Sequence, residues 1–521
     1  MKRLSLLLLV AIFPVVACGG AQRPGADTIV VAIEQDPGTL DPRLATTAYA
    51  SRLSALVFNG LVKIDRDGRL VPDLAKRFES PDPKTYIFHL RHGVRFHDGR
   101  PLTSADVAFT VRSILDPALK SPRREDFAKV VAVETPDPFT IIFHLSRPFS
   151  PFLTAARTGV VPQGLGGKSL ADFSRAPIGT GPFRFKMWEQ NARVLLDAHP
   201  DYFAGAPKIL HAIFKIIPND TTRVLELRKG SVDLLQNAVP AYAVKSLRQD
   251  PGVEIVERPG MNFSYLGFNL EDPILRKREV RSAIAHAIDR KAIIDHVLEG
   301  LATPAQGLLA PSNWAYTNEV ETYEHDPAKA RALLDAAGFP DPDGSGPRPR
   351  FSLTYKTSTS KERVSIGETI VQSLREAGIE VTLRSLEFGT LYADVNKGNF
   401  QVYGLTWVGV TDPDILYYAF HSNSVPPDGA NRGRYRNPRL DAILDRAREI
   451  TDEKERKKLY AEAQRILAHD LPYVPLWYST DVAAMRRRIV GYEVYPSGDF
   501  TGLLTARIDP GATARAAGRD R

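Results

Sequence analysis

Strand-like and helix-like hydrophobic patterns alternate along most of this chain, and that alternation constrains its fold more than any other feature. Residues 28–33 (TIVVAI) form a continuous apolar run, the pattern of a buried strand. Residues 61–64 and 70–71 flank a turn ending in Gly68 and predict a hairpin. Residues 84–91 alternate like a half-buried strand, His92-Gly93 turns the chain into a strand at 94–97, and 141–145 and 262–269 read as further strands. Helices are expected from a capping box at Thr103–Asp106 through 115, from Asp220 or Thr221 to Gly230, and over 280–298 with Gly300 as the stop. Asp326-Pro327 opens another that Gly338 closes, strands at 351–355 and 380–383 flank a helix, and 439–450 and 452–469 form a helical pair. Such alternation places the chain in the mixed α/β class. No internal repeat of 20–50 residues interrupts it.

At 521 residues the chain is too long for one hydrophobic core, which stops growing near ~250–300 residues, so two or three lobes are expected. An apolar fraction of 43% with 25% charged residues excludes a disordered or membrane-spanning body. The N-terminus is a separate matter. Lys2 and Arg3 precede an apolar run over 4–16, shorter than the ~20 residues that span a bilayer. The run fits the core of a signal peptide over 1–17. It ends in Val15-Val16-Ala17-Cys18, which resembles the lipobox of bacterial lipoproteins and makes Cys18 the expected lipidation site, followed by a polar tether over 18–27. Cys18 is the only cysteine, so the body must fold without disulfides. The net charge of +7 comes from Lys and Arg interspersed with Asp and Glu, with Arg486-Arg487-Arg488 as the densest cluster, and export argues against a nucleic-acid partner.

Four stretches carry a family likeness. They are Asp36-Pro37-Gly38-Thr39-Leu40-Asp41-Pro42; residues 74–78 continuing through 86–91, 93–99 and 103–107; residues 177–183; and residues 267–270 followed by 280–284 and 287–290. With these in order behind a lipobox, the chain resembles the extracellular solute-binding proteins of family 5, the binding components of peptide and nickel importers. The resemblance implies a periplasmic-binding-protein-like clamshell of the large, three-lobed type II form with hinge strands. Lobe I would comprise 28–60, 170–265 and 475–508, lobe II 61–169, and lobe III 266–474, with a disordered tail over 509–521. It further implies a monomer at the cell envelope, facing the periplasm or exterior. A small solute or peptide would bind between lobes I and III and pass to permease subunits with cytoplasmic ATPases, without any cofactor, metal or catalytic residue.

The site residues follow from the same resemblance. In peptide-binding relatives a Trp in the place of Trp407 lines the cleft, and an Asp three residues on pairs with the peptide's amino group. Here that position is Val410. A charge-assisted hydrogen bond is worth ~1.5–3 kcal/mol, so its loss argues against ligands with a free amino group. Asp412 either replaces it or belongs to a loop and helix cap. Gly38, Thr39 and Leu40 match a segment whose main chain meets an extended ligand, in strand-like recognition, and Tyr265 and Asn269 match positions that face the cleft.

Other motifs fail on spacing. Gly166-Gly167-Lys168-Ser169 lacks the first glycine of a phosphate loop, which would fall at Pro162. The calcium-loop imitation starting at Asp341 has Ser352 where the bidentate Glu belongs. His89, His92 and His97 lack the cysteine or carboxylate pattern of a metal site. Three functions remain open: a transport receptor for a peptide or peptide-like solute, with sugar, metal chelate or amino acid conjugate as other ligands; a surface-anchored solute sensor; and an exported hydrolase.

Overall fold

The computed structural model describes residues 25, 27–66, 68–344, 346–509 and 511. Cys18, the signal peptide, nearly all of the tether, and residues 512–521 lie outside the described residues.

One mixed sheet of eleven strands runs through the molecule. Two long antiparallel strands form its middle: a first hinge strand, Val253–Phe268, and a second, Tyr473–Arg486. Their pairing holds from Val253↔Arg486 to Pro259↔Thr480, slips, and resumes at Phe263↔Tyr478. The slip brings in Gly260, where a Cβ would collide with the Ser479 carbonyl. Only glycine permits that approach.

On one side of the slip, Leu234–Gln236, β1 (Thr28–Ile33) and His211–Ile216 add as parallel neighbours, followed antiparallel by Arg193–Ala198 and Phe183–Glu189. β1 is buried on both faces: Ile29, Val31 and Ile33 pack with Phe214 and Phe183, and Val30 and Ala32 pack with Leu227 and Leu235. This explains its unbroken apolar run. On the other side, Val402–Trp407, Phe351–Ser358 and Ile379–Leu386 extend the sheet between two separate cores, and the short Ala302–Pro304, paired with the second hinge strand, is its eleventh strand. We call these halves lobes I and III.

A four-stranded antiparallel sheet forms a smaller body with its own core, here lobe II. Thr85–Leu90 and Thr140–Leu145 bury every second residue, as a one-sided sheet requires. The helix Ser104–Leu115 covers it, and the Asp106 carboxylate accepts the Thr103 backbone N–H at 2.8 Å.

Three local expectations are corrected. Residues 280–298 are two helices, Arg278–Ala287 and Arg290–His296, because the Asp289 side chain accepts the Ala292 N–H at 2.8 Å and starts a new helix. Residues 94–97 form a single bridge, Arg95↔Pro101. Asn219 rather than Asp220 or Thr221 caps the helix Asp220–Lys229.

Candidate functional site

The parallel strands of both lobes end at the same gap. Glu34 follows β1 and Asn237 follows Leu234–Gln236; Trp407 ends its strand, and Glu362 and Arg363 open the helix after Phe351–Ser358. Carboxyl ends of parallel strands are where α/β sheets bind ligands. Glu34 feels the negative charge of Glu362, as it does more strongly the charges of Arg223 and Arg52, so the ends of the two sets lie within electrostatic range of each other.

Trp407 stands opposite Phe263 of the first hinge strand. It stacks at 6.4 Å on Tyr265, meets Tyr418 edge-on at 6.1 Å and lies 5.2 Å from the Arg432 guanidinium. Its indole N–H is buried without a hydrogen-bond partner among the described residues. Arg432 also covers Tyr392, which stacks on Phe388 at 6.0 Å. Tyr392, Phe388, Tyr418 and Val408 are exposed, so an aromatic shelf runs outward from Trp407.

Tyr265 is 1% exposed, sandwiched between Trp407 and Tyr473, the latter at 4.0 Å. It backs Trp407 from within lobe III. Asn269 does not reach the cleft: it lies six residues along the strand from Phe263, about 20 Å at strand rise, and its amide donates to the Phe400 carbonyl at 3.1 Å. Leu40 is wholly buried in lobe I, its N–H donating to the Ser174 carbonyl and its carbonyl accepting the Ser54 hydroxyl. No main-chain group of Leu40 is left for a ligand. Gly38 is exposed at a φ of 75°, with its N–H bonded to Asp36, and the Thr39 hydroxyl accepts the Asp41 N–H. The Asp36 carboxylate in turn accepts the Trp188 indole N–H at 3.0 Å, so this loop braces lobe I.

Val410 is buried in the lobe III core. Asp412 has two engagements: one oxygen accepts the Asp414 N–H at 2.8 Å, and the other accepts the Thr154 hydroxyl of lobe II. It is a loop brace and a link between lobes. Further links join the Ser150 N–H to the Arg448 carbonyl at 2.7 Å and the Arg448 guanidinium to the Phe149 ring at 4.8 Å. Arg157 bonds weakly to the Thr411 hydroxyl, 3.4 Å, and burial holds its guanidinium below the usual arginine range against the charges of Asp499 and Asp412.

Two residues that the sequence reading passed over form the hinge floor. Asp481, on the second hinge strand, is 4% exposed; among the described residues its carboxylate accepts one long hydrogen bond, 3.5 Å, from the Asn262 amide. Burial pushes its carboxyl up to about 7, with Arg52 pulling the other way. Arg52, on α1 (Ala48–Val57), is 7% exposed and packs on Tyr49 at 5.4 Å, and its guanidinium has no hydrogen bond or ion pair among the described residues. The floor meets the Trp407 loop directly, because the side-chain amide oxygen of Asn262 accepts the Gly409 N–H at 2.9 Å. One signal was available: Asp481 is a lone carboxylate in an otherwise apolar stretch, Asp481-Val482-Ala483-Ala484-Met485.

Two lobes that share a pair of continuous strands and aim their strand ends into a common gap define a clamshell binding protein. The chain belongs to the bacterial extracellular solute-binding proteins of family 5, whose family 5 Middle model matches residues 69–427. It is a binding protein and not an enzyme. It is 32% identical to di/tripeptide-binding protein 4 of Pseudomonas aeruginosa, over 98% of this chain and 99% of that one. The oligopeptide-binding protein AppA of Bacillus subtilis, solved with a nonapeptide, superposes with a TM-score of 0.82 at 28% identity, covering 94% of this chain and 99% of AppA. NikZ of Campylobacter jejuni, solved with Ni(L-His), superposes at 0.83 and 25% identity, covering 93% and 100%.

Proposed function

We propose that this protein is the lipid-anchored substrate-binding component of an ATP-driven importer, which captures a peptide or peptide-like solute between lobes I and III and delivers it to a membrane permease. The observation that carries this reading is the convergence of strand ends from both lobes on one gap, walled by Trp407 and floored by charged groups that the protein itself leaves without close partners. A ligand touching both faces favours the closed arrangement by its differential affinity for it. The names of the relatives above support peptides first. The burial of Val410 favours a second reading, a solute without a peptide's free amino terminus.

Lobes I, II and III, with the boundaries given by the sequence, are proposed as the moving bodies, and Cys18 as the acylated residue that tethers them to the envelope. Mass spectrometry of solutes retained by gently purified protein tests the function, followed by thermal shift with the candidates found. Ligand at 100 times its dissociation constant adds about 2.7 kcal/mol. Peptides that neither co-purify nor raise the melting temperature overturn the peptide reading. Incorporation of labelled fatty acid, lost in Cys18→Ser, tests the anchor.

A further inference from the structure

The hinge floor holds an unusual pair of charges. Arg52 and Asp481 approach it from different elements, α1 and the second hinge strand, and each is more than nine-tenths buried. Their charges act on one another, yet no ion pair forms between them. Buried charges held this way are costly unless something completes their coordination. The surrounding groups do not. The Gly498 position is packed directly against the Arg52 guanidinium, and Gly498 gives its carbonyl to the amides of Gln236 and Asn237. The Asn237 side-chain oxygen is itself buried without a partner. Glu34, whose charge acts on Arg52, gives its carboxylate at 3.3 Å to Arg223. Three under-coordinated groups, a cation, an anion and an amide oxygen, thus share one corner of the cleft next to the Trp407 loop.

We propose that this corner is the anchor for a zwitterionic head group, an ammonium seated on the Asp481 carboxylate and a carboxylate seated on the Arg52 guanidinium. The inference rests on the solute-binding reading above and narrows its substrate class to short peptides or amino acid conjugates that carry both charges close together. It also relocates the cation site. The loop after Trp407 carries Val410 in place of a carboxylate, and the negative charge is supplied instead by the hinge strand, one side chain away through Asn262. Because Asp481 lies on a strand about which the lobes pivot and Arg52 on a helix of lobe I, occupancy there couples to closure.

The test uses isothermal titration of the mature protein with pools of di- and tripeptides, offered free, N-acetylated or C-amidated. Asp481→Asn and Arg52→Gln are compared with wild type, and ligand-free melting curves confirm that each variant folds. The expected result is binding of the free pool, weakened about ten- to a hundredfold by acetylation or by Asp481→Asn, with no further loss when the two are combined. Amidation and Arg52→Gln pair in the same way. A second readout is independent of the variants. At pH 6, binding of free peptides to wild type releases protons, seen as a dependence of the heat on buffer ionisation enthalpy. Equal binding of free and blocked pools, or a folded Asp481→Asn protein with undiminished affinity for the free pool, overturns the anchor while leaving peptide capture standing. Binding of no pool overturns the peptide reading and the anchor with it.

Discussion

Thr154 of lobe II donates its hydroxyl to the carboxylate of Asp412 in lobe III, tying the small lobe to the loop that follows Trp407. A hydrogen bond to a charged acceptor contributes roughly 1.5–3 kcal/mol, and this one exists only while the lobes are together. Thr154→Val keeps the shape and removes the donor. The expected outcome is a loss of ligand affinity of about tenfold or more, with a larger radius of gyration in small-angle scattering at subsaturating ligand. Unchanged affinity would mean that the link plays no part in closure.

Asp481 is expected to make the ligand-free protein less stable as the pH rises to neutral. Its carboxyl is raised to about 7 from an ordinary 3.8, mainly by burial. A group whose folded pKa lies above its unfolded one contributes stability that is complete below the unfolded value and is lost as pH rises through the folded value. The window therefore runs from about pH 4 to 7, with a magnitude of at most about 4 kcal/mol at 1.36 kcal/mol per unit. Asp481→Asn, which cannot ionise, is expected to melt higher than wild type at pH 8, with the advantage shrinking at pH 5. Parallel melting profiles at the two pH values would exclude this.

His97, at the junction of lobes I and II, is expected to contribute to the acid limit of stability. Its Nδ1 accepts the Gly179 N–H at 3.3 Å, so Nε2 carries the proton and donates to the Gly181 carbonyl at 3.0 Å. Both nitrogens are satisfied only in the neutral ring. Burial lowers its pKa to about 3, and the neighbouring His199 and Arg184 add to the effect. Here the folded value lies below the unfolded one, so the stability is present above pH 6.5 and is lost as pH falls toward 3. His97→Gln is expected to cost stability at pH 7.5 and to flatten the acid limb of the melting-temperature profile between pH 6.5 and 4. A wild-type acid limb that persists unchanged in the variant would assign the loss to other groups.

Gly260 allows the strand slip at the hinge. A methyl group there runs into the Ser479 carbonyl and the Asp481 carboxylate, and the carbonyl belongs to a paired strand that cannot retreat alone. Gly260→Ala is expected to lower the melting temperature by several degrees, in the range of 1–3 kcal/mol typical of overpacking. It should also weaken ligand binding, because Asp481 is displaced. A variant that binds as wild type does would show that the hinge tolerates the wider spacing.

Some elements were legible because their cause is local. β1 is an unbroken apolar run, the Thr103–Asp106 cap works through neighbouring residues, and Asp452 accepts the Glu455 N–H as its spacing suggests. The break at Asp289 was missed because the apolar positions on either side keep helical spacing while one side chain resets the backbone. Asn269 and Leu40 were assigned to the cleft by likeness, yet both spend their hydrogen-bonding groups inside a lobe.

From the sequence alone came the α/β class, the absence of disulfides, the family, and the loss of a carboxylate at Val410, all properties of residue identity and spacing. Only the tertiary structure decided what stands near that gap. Asp481 follows Val410 by more than seventy residues and Arg52 precedes it by more than three hundred and fifty. Their meeting depends on two hinge strands bringing the ends of both half-sheets to one place. Electrostatic character is a sum over spatial neighbours, and the order of residues along the chain does not state who those neighbours are.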